Sequence, residues 1–337
     1  LMGLGGALGI PLALVAGMVV SGASFGDKMS PVSDTTNLAA MVADTDLYSH
    51  IKSMLYTTVP TYIISLIAFT LVGLYYSGQT LSAQELLTLS QHLEIEFAIS
   101  PLTLLPLIVL LALSLKRTAA EVSMLASVVT AVVLAVATQD RTFTEVLNSL
   151  YTGYVADTGL EQLDTLLSRG GITSMMSTMS LALIALSLGG ILDRAGFVRV
   201  LLSGVLKRIK RSASLMATTI GTGVVANMSM GEGYLSIIFG GQIFKDSFEE
   251  DRLEKHMLSR CLEEGATLST SLIPWTTSGA FITGVLGMSP LEFAPWAFFN
   301  YINPLLSIGL AYMGFGIFRQ QGFETPRGTP LSSLKNE

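Results

Sequence analysis

The sequence is poor in the residues on which most soluble enzyme chemistry depends. Its single cysteine, Cys261, excludes an intramolecular disulfide and a cysteine-rich metal centre. Its three histidines, His50, His92 and His256, lie far apart without metal-ligand spacing. No Ser-His-Asp set suggests itself, and Gly221, Gly223 and Ala226 match a G-x-G-x-x-A pattern that follows no strand and opens no βαβ unit. Charged residues make up 13% of the 337, against about 25% in an ordinary soluble domain. The net charge of −6 is spread along the chain, with no long basic run to hold nucleic acid. An enzyme, a resident cofactor and a nucleic-acid partner are therefore not expected.

What the chain has instead is apolar length. Half of it is hydrophobic and the mean hydropathy is +0.58. A bilayer-spanning helix needs about 20 apolar residues, and runs of that order lie at 4–25, 55–76, 98–115, 120–138, 173–192, 215–241 and 292–318. A further apolar stretch, 266–287, is interrupted by Pro274 and several glycines and threonines. Basic linkers face the cytoplasm. Lys116 and Arg117 mark 116–119, and Arg194, Arg199, Lys207, Arg208, Lys210 and Arg211 mark 193–213. Linkers 77–97, with Glu85, Glu94 and Glu96, and 139–172, with five acids against Arg141 and Arg169, then lie outside, and 27–54 lies inside. Phe143, Val146, Leu147, Leu150 and Tyr154 are spaced as the apolar face of a surface helix within 141–168. The basic stretch 199–211 reads as a helix on the inner leaflet. Leu1 falls at or inside an apolar run, so earlier helices are expected to precede it.

Three polar clusters break this apolar background. The first is SGASFGDKMSPVSDTTN, 21–37. Pro31 forbids a regular helix through Asp27 and Asp34. A break there frees backbone carbonyls, and Ser30, Ser33, Thr35, Thr36 and Asn37 add neutral oxygens suited to Na+. Asp34 reads equally as the N-cap of a helix starting at Thr35. Asp27 reads either as a site acid or as a loop acid paired with Lys28, and Lys28 as a fixed counter-charge. The second cluster sets Glu232 between glycines, after Asn227 and Ser229, inside the run 215–241. An ionisable group there is a functional candidate. The third, 260–280, holds Glu263, which reads as an interfacial partner of Arg260, then Glu264, Gly265, Pro274, Thr276, Thr277 and Ser278.

The first and third clusters correspond. An offset of 243 aligns Gly22 with Gly265, Pro31 with Pro274 and residues 33–37 with 276–280; an offset of 244 aligns Leu47 with Leu291 and Pro60 with Pro304. Two related halves, each with a Gly/Pro-interrupted polar segment, are the sequence pointer to a transporter site between inverted repeats. Hairpins entering from opposite faces would meet near the midplane, where non-helical backbone is tolerated only beside protein or a hydrated cavity.

The segments SGASFGDKMSPVSDTTNLA, HIKSMLYTTVP, GTGVVANMSMGEGYLSIIFGGQIFKD, LSRCLEEGATLSTSLIPWTTSGAF and PWAFFNYINPLLS resemble the NhaC-type Na+/H+ antiporter family over nearly the whole chain. The resemblance implies an all-α, polytopic integral membrane protein with inverted repeats and broken or re-entrant helices. Residues 1–138 would hold the remainder of the first repeat and the helices after it, 139–172 an external linker, and 173–337 the second repeat. The implied function is exchange of Na+ for H+ across the cytoplasmic membrane; on the reading of the residues, Asp27 or Asp34, with Glu232, would hold Na+ when ionised and H+ otherwise. The alternative is Na+- and H+-coupled antiport of malate or lactate, since the family includes such members. The expected partners are Na+, H+ and the lipid bilayer, with homodimerisation left open.

Overall fold

A computed structural model describes residues 2–31, 33–76, 91–116, 118–139, 141–159, 164, 167–168, 170–196 and 211–320. Most of the expected inner-leaflet helix at 199–211, together with Glu85, Arg117 and Arg169, lies outside them. The regular structure of the described residues is helical, with a single isolated bridge between Leu253 and Arg319. In chain order the α-helices are α1 (Met2–Ala7), α2 (Leu12–Met29), α3 (Asp34–Val42), α4 (Leu47–Tyr76), α5 (Leu105–Leu115), α6 (Ala120–Thr138), α7 (Phe143–Thr152), α8 (Met176–Arg194), α9 (Ser212–Met230), α10 (Gly233–Glu250), α11 (Lys255–Leu262), α12 (Thr277–Leu286), α13 (Pro290–Phe293) and α14 (Phe298–Tyr312). Among the described residues four helical stretches are long and apolar enough to cross a membrane: Leu12–Met29, Leu47–Tyr76, Glu121–Thr138 and Ile172–Leu192.

The apolar runs are cut where local chemistry forbids a helix. The run 4–25 is divided at Gly9–Pro11, so α2 begins only at Leu12. The same helix then extends past the expected boundary to Met29 and takes in Asp27 and Lys28. It stops two residues before Pro31, which biases its predecessor toward extended backbone. Helix α3 starts at Asp34 with Ser33 as N-cap, one residue earlier than expected, and Asp34 sits in its first turn. The run 215–241 is broken at Gly231, whose φ of 69° ends α9 in the left-handed conformation that favours glycine. Glu232, extended, then caps α10 by accepting a bond from the Tyr234 amide. Helix α11 continues through a π-helical turn, Glu263–Thr267, into Leu268–Thr270. The chain then turns through Pro274 and restarts at α12, where Thr276 accepts from the Gly279 amide at 3.0 Å. Of the run 292–318, the regular helix α14 takes only 298–312.

The contacts divide into two units: residues 1–10 with 77–177, and residues 11–76 with 178–337. In the first, α5 packs on α6, and Ser127 Oγ donates to the Pro106 carbonyl at 2.9 Å. Helix α7 opens on a Thr142/Glu145 capping box and ends at Gly153, so Tyr154 lies beyond it. Phe143, Leu147 and Leu150 are exposed on α7. Tyr154 donates to Glu96 at 2.5 Å, and burial together with that carboxylate pushes its hydroxyl up to about 12.

In the second unit, α3, α9, α10 and α11 enclose an apolar core of Ala39, Leu215, Met216, Ile220, Ile237, Phe244, Leu258 and Leu262. A Cβ on Gly223 would stand 2.7 Å from the Ala266 nitrogen, so α9 approaches the π turn as closely as backbone allows. Helix α4 is polar inside and apolar outside. His50, Ser53, Thr57, Thr58, Thr61 and Ser65 are buried, while Leu55, Val59, Ile63, Leu66 and Leu71 are exposed. That inversion suits a helix whose outward face meets lipid. Outside the spans, Lys255 pairs with Asp44; the bond holds the Asp44 carboxyl below its usual range and the ammonium above.

Candidate functional site

The polar clusters converge within the second unit. Adjacent helix positions point about 100° apart and do not face each other, so Asp27 and Lys28 at the end of α2 go separate ways. Asp27 is exposed and turns to the break: Ser33 Oγ donates to its Oδ1 at 2.8 Å and Thr35 Oγ1 to its Oδ2 at 3.3 Å. Thr35 Oγ1 also lies 3.1 Å from Ser33 Oγ and 3.4 Å from Glu263 Oε1.

Lys28 turns inward and is fully buried. Its ammonium donates to Asn303 Oδ1 at 2.6 Å and lies 3.5 Å from Glu264 Oε1. Thr57 Oγ1 donates to the same Glu264 oxygen at 2.5 Å, and Asn303 Nδ2 donates to Thr61 Oγ1 at 3.1 Å. The pairing of Asp27 with Lys28 is therefore replaced by a buried ion pair that ties α2 to the π turn, α4 and α14. Glu264 is engaged there.

A third group joins two breaks. Tyr234 OH donates to Asp34 Oδ2 at 2.5 Å, while its backbone amide donates to Glu232 Oε1 at 3.3 Å. Thr277 Oγ1 donates to Glu232 Oε2 at 2.6 Å. Asp34, Tyr234, Glu232 and Thr277 thus form one network spanning the starts of α3, α10 and α12. Ser278, half-buried, is next to Thr277.

The remaining sequence candidates serve the backbone. Asn37 Nδ2 donates to the carbonyls of Ser33 at 2.6 Å and Pro31 at 3.0 Å, and Thr36 Oγ1 donates to that of Lys28 at 3.3 Å. Ser30 sits in the break, its amide donating to the Asp27 carbonyl at 3.1 Å. Asn227 Nδ2 donates to the Ala266 carbonyl at 2.6 Å and to Ser269 Oγ at 2.9 Å, locking α9 to the π turn. Thr276 Oγ1 caps α12 and donates to the Ile273 carbonyl at 2.8 Å. Glu263 is fully buried, not interfacial, and Arg260, also buried, reaches the Ser53 carbonyl at 3.4 Å instead. Among the described residues no three His, Cys, Asp or Glu side chains gather tightly enough to hold a metal ion. A cation near Asp27, Asp34 or Glu232 would have to complete its shell with hydroxyls and carbonyls.

The sequence reading missed Tyr234, Thr57 and Asn303. Two of them carry a usable signal: Asn303 directly precedes Pro304 and Thr57 lies three residues before Pro60, polar residues beside a proline in an apolar run.

A profile described as the Na+/H+ antiporter family matches residues 22–315. The chain is 37% identical over 333 residues to the Na(+)/H(+) antiporter NhaC of Alkalihalophilus pseudofirmus, covering 97% of this chain and 71% of that one. It is 34% identical over 314 residues to the Na(+)/H(+) antiporter NhaC of Bacillus subtilis, covering 93% and 69%. To the malate-2H(+)/Na(+)-lactate antiporter of Bacillus subtilis it is 32% identical over 315 residues, covering 93% and 67%. No solved structure matches significantly.

Proposed function

The chain belongs to the Na+/H+ antiporter family, and from that premise we propose that the helix breaks carrying Asp27, Asp34 and Glu232 form the place where Na+ and H+ compete. The protein is an antiporter of Na+ and H+. The observation that carries the site assignment is the Asp34–Tyr234–Glu232–Thr277 network, which joins breaks from both ends of the chain through hydrogen bonds of 2.5–3.3 Å. A carboxylate that takes a proton gives up its hold on Na+, and one that binds Na+ resists the proton. Competition for one group is enough to couple the two fluxes when the site opens to one side at a time. Ser33, Thr35 and Thr277 supply neutral oxygens around the acids.

Inverted repeats fit this reading. Pro31 and Pro274 each stand in a break, and α3 and α12 each start three residues later. Pro60 and Pro304 each lie inside a helix, α4 and α14. On that reading the two breaks enter from opposite faces of the cytoplasmic membrane and the chain is a transporter, not an enzyme.

Exchange of malate or lactate is the weaker reading. An organic carboxylate would need helix N-termini free to receive it. Here Asp34 occupies the first turn of α3 and Glu232 caps α10 and binds Thr277 at α12.

The test uses proteoliposomes holding a pH-sensitive dye. A Na+ pulse alone should drive a dye response in the wild type that Asp34→Asn and Glu232→Gln each abolish. Full exchange in both variants would refute the assignment, and a response that waits for malate or lactate would favour the second reading.

A further inference from the structure

We infer that Glu263 is a buried ligand of the transported cation, sharing Thr35 and Ser33 with Asp27 beside the Asp34–Glu232 network, to which the Thr35 amide links it through Asp34; this rests on the Na+ reading above. Glu263 has no exposed surface. Its Oε2 has no hydrogen-bond partner, and among the described residues it takes part in no ion pair. The Lys28 charge is felt at Glu263, but its ammonium is engaged by Glu264 and Asn303, and a buried carboxylate that no cation contacts is the arrangement that folded proteins avoid unless something else supplies the charge. Glu264, the next residue, differs in having a cation: its Oε2 is likewise without a partner, but Lys28 and Thr57 meet its Oε1.

The proton count around Thr35 points the same way. Its hydroxyl carries one proton, yet Oγ1 stands 3.3 Å from Asp27 Oδ2 and 3.4 Å from Glu263 Oε1. It can serve only one carboxylate. Ser33 Oγ, 3.1 Å away, already donates to Asp27 Oδ1 at 2.8 Å. With both carboxylates ionised the group is one donor short, and it presents two carboxylates and two hydroxyls from α2, α3 and the π turn. That is an all-oxygen set for a small hard monovalent cation. Asp27 faces outward and Glu263 is enclosed, so an ion handed from one to the other moves from an accessible position to a buried one.

The experiment is equilibrium binding of radioactive Na+ to the purified full-length antiporter, with melting followed in parallel without Na+. Wild type should bind Na+ saturably. Glu263→Gln should weaken that affinity at least tenfold while melting at or above the wild-type temperature, because it removes an unpaired buried charge. Glu263→Asp, which withdraws the oxygens by one methylene, should fall between the two. Affinity within twofold of wild type in both variants overturns the inference while leaving the exchange reading intact. If Glu263→Gln does not fold, wild-type affinity in Glu263→Asp overturns it alone. Absence of saturable binding in the wild type overturns this inference and the exchange reading together.

Discussion

Lys28 is held by Asn303 and Glu264 and has no exposed surface. Removing one member of a buried pair strands the other, a loss of about 3–5 kcal/mol, while replacing both is far less harmful. Lys28→Met should therefore lower stability by roughly that amount in denaturant unfolding, and Lys28→Met with Glu264→Gln should recover much of it. Tyr234 is a different kind of residue: half its role is a hydroxyl bond to an exposed carboxylate. Tyr234→Phe should raise the KM for Na+ by about three- to tenfold with little change in melting, equivalent to about 0.7–1.4 kcal/mol. The neighbours Asp27 and Lys28 were legible as residue types, and the helical rule that adjacent positions diverge was available. What the sequence could not supply was the helix end: with α2 running to Met29, the lysine is inside and the acid outside.

Helix packing in the second unit depends on where glycine is required and where it is not. A Cβ at Gly223 would meet Ala266 N at 2.7 Å and Gly265 backbone carbon at 2.8 Å, whereas one at Gly221 would meet nothing within 4 Å. Overpacking of this kind costs about 1–3 kcal/mol. Gly223→Ala should thus lower the melting temperature and exchange activity, and Gly221→Ala, two residues earlier on the same helix, should be neutral or slightly stabilising. Breaks at Pro31 and Pro274 were readable because proline and its predecessor resist helix. The break at Gly231–Glu232 was signalled only by a charge flanked by glycines. The π turn at 263–267 left no trace, and what the structure shows around it is long-range: α9 lies close against Gly265, and Lys28 and Thr57 meet Glu264.

For the molecule as a whole, competition between Na+ and H+ has a definite sign. Lowering the pH protonates the site and removes Na+, so the KM for Na+ should rise as pH falls, by up to about tenfold per unit if a single proton competes. Sodium-dependent dye responses recorded from pH 9 to pH 6 would check this, and a KM that stays flat would rule out a shared carboxylate. Composition alone identified a membrane protein, and α4 shows why: its buried face is polar and its outer face is aliphatic. The long apolar runs were visible, but which side chains meet across their breaks depends on tertiary contacts spanning more than two hundred residues, such as Lys28 with Glu264.

Glu232 holds the Tyr234 amide and the Thr277 hydroxyl with its two oxygens. On the proposed reading a passing ion must draw on those same oxygens, so cargo and peptide bond become rivals. Each turnover would then loosen and retie the first turn of α10, leaving a record of occupancy in how fast the Tyr234 amide trades its hydrogen for deuterium.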